Sequence, residues 1–288
     1  MTTGSGSSRR GSYDGRSMGR PPASGEDEAF WRDYLTNGDR MERRVRRVFR
    51  SLPHGPRCQL CAAPFAGAAA PFMRAIGKQP ATKNPHVCQS CFSFIATHHG
   101  GAEIEASFLF ADIRGSTGLA ERLSSAQFHA LLDRFYATAS AIVFEHDGGV
   151  DKFVGDELVA FFFPLMAGPD HARKAVDCGL ALLRATGHAD TTDPWVPVGA
   201  GVHTGLAWVG AVGDANHTEV TALGDAVNVT ARLASVAAAG EVLVSTAAAA
   251  AAGLDPDLER VSLELKGKQQ PTEVVRIRVA PETVAASG

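Results

Sequence analysis

No apolar run in this 288-residue chain approaches the ~18–20 residues needed to cross a bilayer, so a membrane-spanning helix is not expected. The opening stretch, Met1 to Ser24, lacks an apolar centre. That excludes a secretory signal and makes a cytosolic location the expectation. An excess of one charge is also missing: the net charge of −3 gives no overall bias toward nucleic acid or a membrane surface. Residues 1–25 are Gly, Ser, Arg and Pro with almost nothing to bury, and are expected to form a disordered tail; residues 281–288 are read as a C-terminal tail.

Cysteine is scarce but patterned. Four of the five form Cys58-Gln-Leu-Cys61 and Cys88-Gln-Ser-Cys91, with 26 residues between the pairs. Residues 57–100 are otherwise short of core-forming side chains, so something must staple them. In a cytosolic chain four thiolates closing one tetrahedral site would supply that energy. Zinc and an iron–sulfur cluster both take four cysteines, and the spacing does not separate them. His86, His98 and His99 flank the site as bystanders. Cys178, inside the apolar Ala172–Leu183 run, reads as a small buried residue.

Residues 26–56 carry a helical pattern. Phe30, Trp31, Tyr34 and Leu35 make one apolar cluster; Met41, Val45, Val48, Phe49 and Leu52 make another after Asn37-Gly38. Six arginines, Arg40, Arg43, Arg44, Arg46, Arg47 and Arg50, accompany the second. They are either the solvated face of a packing helix or a basic surface for a partner.

From residue 104 to 280 strands and helices alternate. Phe108–Ile113 reads as a strand and 118–146 as one or two helices. Val150–Val154 and Leu158–Phe163 form a hairpin about Gly155-Asp156. A helix covers 170–186, a long strand or hairpin 196–212, and another helix begins near Asp225 as its N-cap. Strands at 241–245, 259–265 and 273–279 and a short helix at 247–252 complete the domain. The order predicts an α+β fold with helices on one face of a sheet.

Three groups of residues carry chemistry. Asp156 at an exposed hairpin tip and Asp112 at a strand end, the latter followed by the turn Arg114-Gly115-Ser116-Thr117, suit a divalent metal and a polyphosphate. Asn228 and Arg232 fall four apart on one helical face, an amide and a guanidinium fitted to a ribose oxygen and a developing phosphoryl charge. Lys152 lies on the same hairpin arm as Asp156.

The series F-A-D-I-R-G-S-T, K-F-V-G-D-E, G-V-H-T-G and L-G-D-A-V-N-V-T-A-R-L resembles, in order and spacing, the class III nucleotidyl cyclase catalytic domain. That resemblance implies a ferredoxin-like βαββαβ fold behind a small N-terminal metal-stapled module. Asp112, Asp156 and the Ile113 carbonyl would bind two Mg²⁺ or Mn²⁺ ions. Gly115, Ser116 and Thr117 would cradle the phosphates, with Lys266, or else Lys268, as the triphosphate lysine. Asn228 would position the ribose and Arg232 would stabilise the transition state. Lys152 and Thr221 would read adenine, so the substrate would be ATP and the products cyclic AMP and pyrophosphate. Ser116 stands where Phe is common, and Asn216-His217 where many members carry a basic residue. Because one chain holds both halves of a shared site, a two-fold homodimer is implied, regulated by its cysteine module, with no membrane or nucleic-acid partner. The alternatives are a guanylate or mixed-specificity cyclase, and a silent cyclase-like dimer acting as a metal-stapled adaptor for protein or nucleic acid.

Overall fold

The computed structural model describes residues 25–38, 40–52, 55–98, 100–213, 218–264 and 271–279. The expected tails, Lys266, Lys268, Asn216, His217 and His99 lie outside the described residues. The chain begins with helices α1 (Gly25–Thr36), α2 (Arg40–Ser51), α3 (Ala70–Ala75) and α4 (Gln89–Thr97). Strand β1 (Gly100–Ile113) then leads through α5 (Ser116–Arg122) and α6 (Ser125–Glu145) into the hairpin β2 (Gly149–Val154) and β3 (Glu157–Phe162). Helices α7 (Pro164–Ala167) and α8 (His171–Ala185) precede β4 (Val198–Gly213) and β5 (Thr218–Leu223). Helix α9 (Asp225–Val236), β6 (Glu241–Ser245), α10 (Thr246–Ala251), β7 (Arg260–Leu263) and β8 (Thr272–Arg278) complete the order.

The strands form one sheet in the order β2-β3-β1-β4-β6-β8-β7, with β5 paired to β4 beside that path. Its first half is the ferredoxin-like βαββαβ unit: β2-β3-β1-β4, every neighbouring pair antiparallel. The hairpin turns at Gly155, whose φ of 61° is a conformation that a side chain would strain. Helix α6 starts in a capping box: Ser124 accepts from the Gln127 amide at 3.3 Å, and Gln127 accepts from the Ser124 amide at 2.9 Å. A cap of this kind is worth about 1 kcal/mol.

Alternation along β1 sends side chains to two cores rather than one. Leu109, Ala111 and Ile113 join Phe135 and Ile142 of α6 and Leu182 and Leu183 of α8. Phe108 and Phe110 join Trp31 and Leu35 of α1 and Ala226 and Ala234 of α9. Helices therefore cover both faces, correcting the one-face expectation. The apolar cluster read near the N-terminus packs on the central sheet directly, and Trp31 is 2% exposed.

Two further expectations change. The N-cap of α9 is Gly224 rather than Asp225, which is the first helical residue. The arginines of α2 do not all form a solvated face: Arg46 is buried and donates to the carbonyls of Gln59 (3.2 Å) and Leu60. Arg50 pairs with Asp147, which also receives Lys174 of α8 at 2.9 Å. Cys178 is fully buried, as read.

Candidate active site

Strand pairing brings the acidic group together. Asp112 near the end of β1 stands opposite Glu157 at the start of β3, and Asp156 occupies the adjoining turn. Burial raises the Asp112 carboxyl to about 6; Arg114, which pairs with it, holds it back, while the Asp156 carboxyl raises it further. Burial, with Asp112 and Asp156 beside it, raises Glu157 to about 7. Asp112 and Glu157, held back from ionising beside Asp156, belong to a donor set short of positive charge, and a divalent cation fits that deficit. Asp156 is half-buried, not at a fully exposed tip.

Sequence reasoning missed the groups that hold this corner. Tyr136 of α6 donates its hydroxyl to the Gly155 carbonyl and stacks on Phe153, ring centroids 4.1 Å apart. Arg114 donates to the Ser235 carbonyl at 3.0 Å and so ties the acidic group to the end of α9. Glu157 was legible in G-D-E as a third acid; Tyr136 carries no local signal. Gly115 caps α5 in the left-handed region (φ 69°) with no side-chain hydrogen bond to the first amides, which leaves them for an anion.

Asn228 is exposed on α9 and Arg232 is half-buried one turn on. The helix lies tight against β4 because Gly201 has no side chain: a Cβ there would stand 2.4 Å from the Ala234 amide nitrogen. Lys152 and Thr221 converge although β2 and β5 are far apart in strand order. Thr221 donates to Asp151 at 2.9 Å, and Lys152 stands 3.8 Å from Asp151 and 3.6 Å from Glu219. Neither Asn228 nor Arg232 has an ion pair or side-chain hydrogen bond to the acidic group among the described residues.

The four cysteines also meet. The sulfurs of Cys58, Cys61, Cys88 and Cys91 all lie within 4.8 Å of one another, and the Cys88 amide donates to Cys58 Sγ at 3.2 Å. The first pair sits in a tight loop closed by the Arg57–Pro64 bridge, and the second opens α4, with Cys88 as its N-cap. Hydrogen bonds from the other three thiols push Cys88 toward thiolate. Lys78 is raised: burial works against its charge, but the four sulfurs outweigh it. Four soft donors in a compact cluster with cations near fit one metal ion. His98 stacks on Phe94 (4.5 Å) and is not among the clustered donors.

A family model described as the adenylate and guanylate cyclase catalytic domain matches residues 102–275. The chain belongs to that family. Adenylate cyclase 1 of Rhizobium meliloti (strain 1021) is 35% identical over 144 residues, 47% of this chain and 22% of that protein. An uncharacterized protein of Mycobacterium tuberculosis (strain ATCC 25618 / H37Rv) is 33% identical over 184 residues, 61% of this chain and 33% of that one. The chain thus spans a third or less of these curated relatives. Among solved structures, the guanylyl cyclase Cya2 aligns with a TM-score of 0.57 at 26% identity, over 65% of this chain and 98% of that one. The adenylyl cyclase CyaB from P. aeruginosa aligns at 0.54 and 28% identity, over 61% and 94%. The chain therefore carries a cyclase catalytic domain over most of its length. No helix among the described residues is long and apolar enough to cross a membrane.

Proposed function

We propose that the chain is an adenylate cyclase, converting ATP to 3′,5′-cyclic AMP and pyrophosphate at sites shared between two copies. The observation that carries the base assignment is the meeting of Lys152 and Thr221 at one corner, joined through Asp151. An ammonium donates to adenine N1 and a threonine oxygen accepts from the 6-amino group.

Asp112 and Asp156, with the Ile113 carbonyl, would hold two Mg²⁺ or Mn²⁺ ions. When bound, such ions lower the pKa of the ribose 3′-hydroxyl and neutralise the triphosphate. Arg114 pairs with Asp112 and balances its negative charge, a place the cations would take over on binding. The turn Gly115-Ser116-Thr117 offers amides to the phosphates, and Lys266 is the assigned triphosphate lysine. Asn228 orients the ribose, and Arg232 meets the charge that develops on the α-phosphate as the 3′-oxygen attacks and pyrophosphate leaves.

A shared site accounts for Asn228 and Arg232 making no ion pair or side-chain hydrogen bond to the acidic group of their own chain among the described residues. It also accounts for exposed apolar residues beside each half: Val154 next to the hairpin turn, Leu206 on β4, Leu223 before α9 and Val236 at its end. Residues 26–56 and 57–100 form the regulatory segment, and 104–280 the catalytic domain. Regulation has a physical route. Gln59, Asn84 and His86 of the cysteine module share a cleft with Asp151 and Glu219 of the base-reading corner, while Arg50 grips Asp147 just before β2. Zinc is the assigned ion at the four cysteines, with an iron–sulfur cluster as the alternative.

The test is steady-state turnover with Mn²⁺ and ATP or GTP supplied separately. Faster cyclic AMP formation is expected. Faster cyclic GMP formation overturns the base assignment, and an Asp156→Ala variant that retains full turnover overturns the mechanism.

A further inference from the structure

Thr221 poses a problem for base choice. A hydroxyl has one proton and two lone pairs, so it can accept from the amino group of adenine or donate to the 6-oxo group of guanine. Left to rotate, it would read neither base over the other. Its rotation is not free: Thr221 Oγ1 lies 2.9 Å from Asp151 Oδ2. An ionised carboxylate only accepts, so the proton of that bond comes from Thr221.

A register shift brings Asp151 there. Val150 pairs with Ala160 and Lys152 with Val159, leaving Asp151 as the extra residue of a β-bulge. In a regular strand Asp151 and Lys152 would point to opposite faces. The bulge lets both turn toward β5, Asp151 to Thr221 and Lys152 to Glu219 at 3.6 Å. The Asp151 side chain is 6% exposed, and its other oxygen, Oδ1, is buried with no hydrogen-bond partner. Burial raises the Asp151 pKa above the ordinary carboxylate value, while the hydrogen bond from Thr221 and the Lys152 ammonium, 3.8 Å from Oδ1, work against that and favour the charged form.

We infer that Asp151 is a specificity-determining positioning residue: by taking the Thr221 proton it makes that hydroxyl an obligate acceptor, which admits adenine and repels guanine. The inference rests on the reading of Lys152 and Thr221 as the base-reading pair. Asp151 itself touches no base in this account. It acts through Thr221, and its effect is on choice rather than on rate.

The experiment measures kcat/KM for ATP and GTP on the full chain with Mn²⁺. Wild type, Asp151→Asn, Thr221→Val and the double variant are compared. An asparagine amide can donate to Thr221 and free its proton for guanine. Asp151→Asn should therefore lower the ATP/GTP ratio about tenfold, the size of one hydrogen-bond preference. Asp151→Ser, which adds no bulk, should do the same and serves if the asparagine variant does not fold. In the Thr221→Val background Asp151→Asn should leave the ratio unchanged, because no hydroxyl remains to orient. A purely structural Asp151 would depress both substrates alike and keep the ratio, which overturns the inference. If Thr221→Val shifts the ratio and Asp151→Asn does not, Thr221 reads the base unaided and the inference fails alone. If neither shifts it, the base-reading pair itself is wrong.

Discussion

Asp147 joins three segments, and replacing it by asparagine gives a measurable account of that junction. The residue follows α6, adopts φ 64°, and accepts from both Arg50 of α2 and Lys174 of α8. Asparagine tolerates the same left-handed backbone, so the substitution removes charge without adding strain. The Asp147 side chain is 16% exposed, against 33% for each cation, so the pairs are neither buried nor free in water. A hydrogen bond to a charged group is worth about 1.5–3 kcal/mol, and discounting each for partial exposure leaves about 2 kcal/mol for the two together. At about 2 cal/mol/K of unfolding entropy per residue, that corresponds to a fall of about 3–4 °C in Tm for a chain of this length. Thermal melting gives the shift, and hydrogen exchange should show faster opening of α2 and β2. Asp147→Gly should fall less than Asp147→Ala, because glycine relieves the positive φ. A Tm change under about 1 °C for Asp147→Asn would refute the reasoning.

The remaining expectations concern three other places. His171 is buried, with Nδ1 2.8 Å from Ser107 Oγ, and burial lowers its pKa below the ordinary 6.5. Below pH 6.5 the unfolded chain takes up a proton that the folded imidazole refuses. Stability should thus fall as pH drops from 6.5 toward the folded pKa, and His171→Gln should flatten that slope in urea titrations at several pH values. Chelation of the four-cysteine site, followed by hydrogen exchange and by metal release, should loosen residues 57–98 before the catalytic sheet melts; simultaneous loss of both would contradict a separately stapled module. Tyr136→Phe removes the hydroxyl that holds the Gly155 carbonyl while keeping the stack on Phe153. Turnover should fall about tenfold with Tm nearly unchanged, and unaltered turnover would mean that the hairpin turn needs no such anchor.

Much of this was legible in the sequence because local chemistry and fold agree. The hairpin around Gly155-Asp156 needs a residue that accepts positive φ between two apolar runs, and both are written plainly. The paired C-x-x-C motifs announce a cluster, and the sulfurs do converge. Strand β5 escaped notice because Thr218–Leu223 mixes polar and small residues and gains strand character only by pairing with β4. The first half of β1, where Glu103 and Glu105 alternate with Ala102 and Ile104, was cut short for a related reason: its apolar side is made for α1, far earlier in the chain. Arg46 shows the limit of charge patterns. Its row of arginines reads as a wet face, yet tertiary contact turns this one inward onto the cysteine loop. The bulge at Asp151 depends on how β2 registers against β3, which no composition rule specifies.

The account turns on whether the acidic residues of one copy work with Asn228 and Arg232 of another. Asp156→Ala and Arg232→Ala should each be inactive alone. Co-expressed and purified together, they should form mixed dimers with one intact site each, restoring at most about a quarter of wild-type cyclic-nucleotide formation at random pairing. No recovery above either single variant, with mixed dimers verified by two different tags, would contradict the shared site.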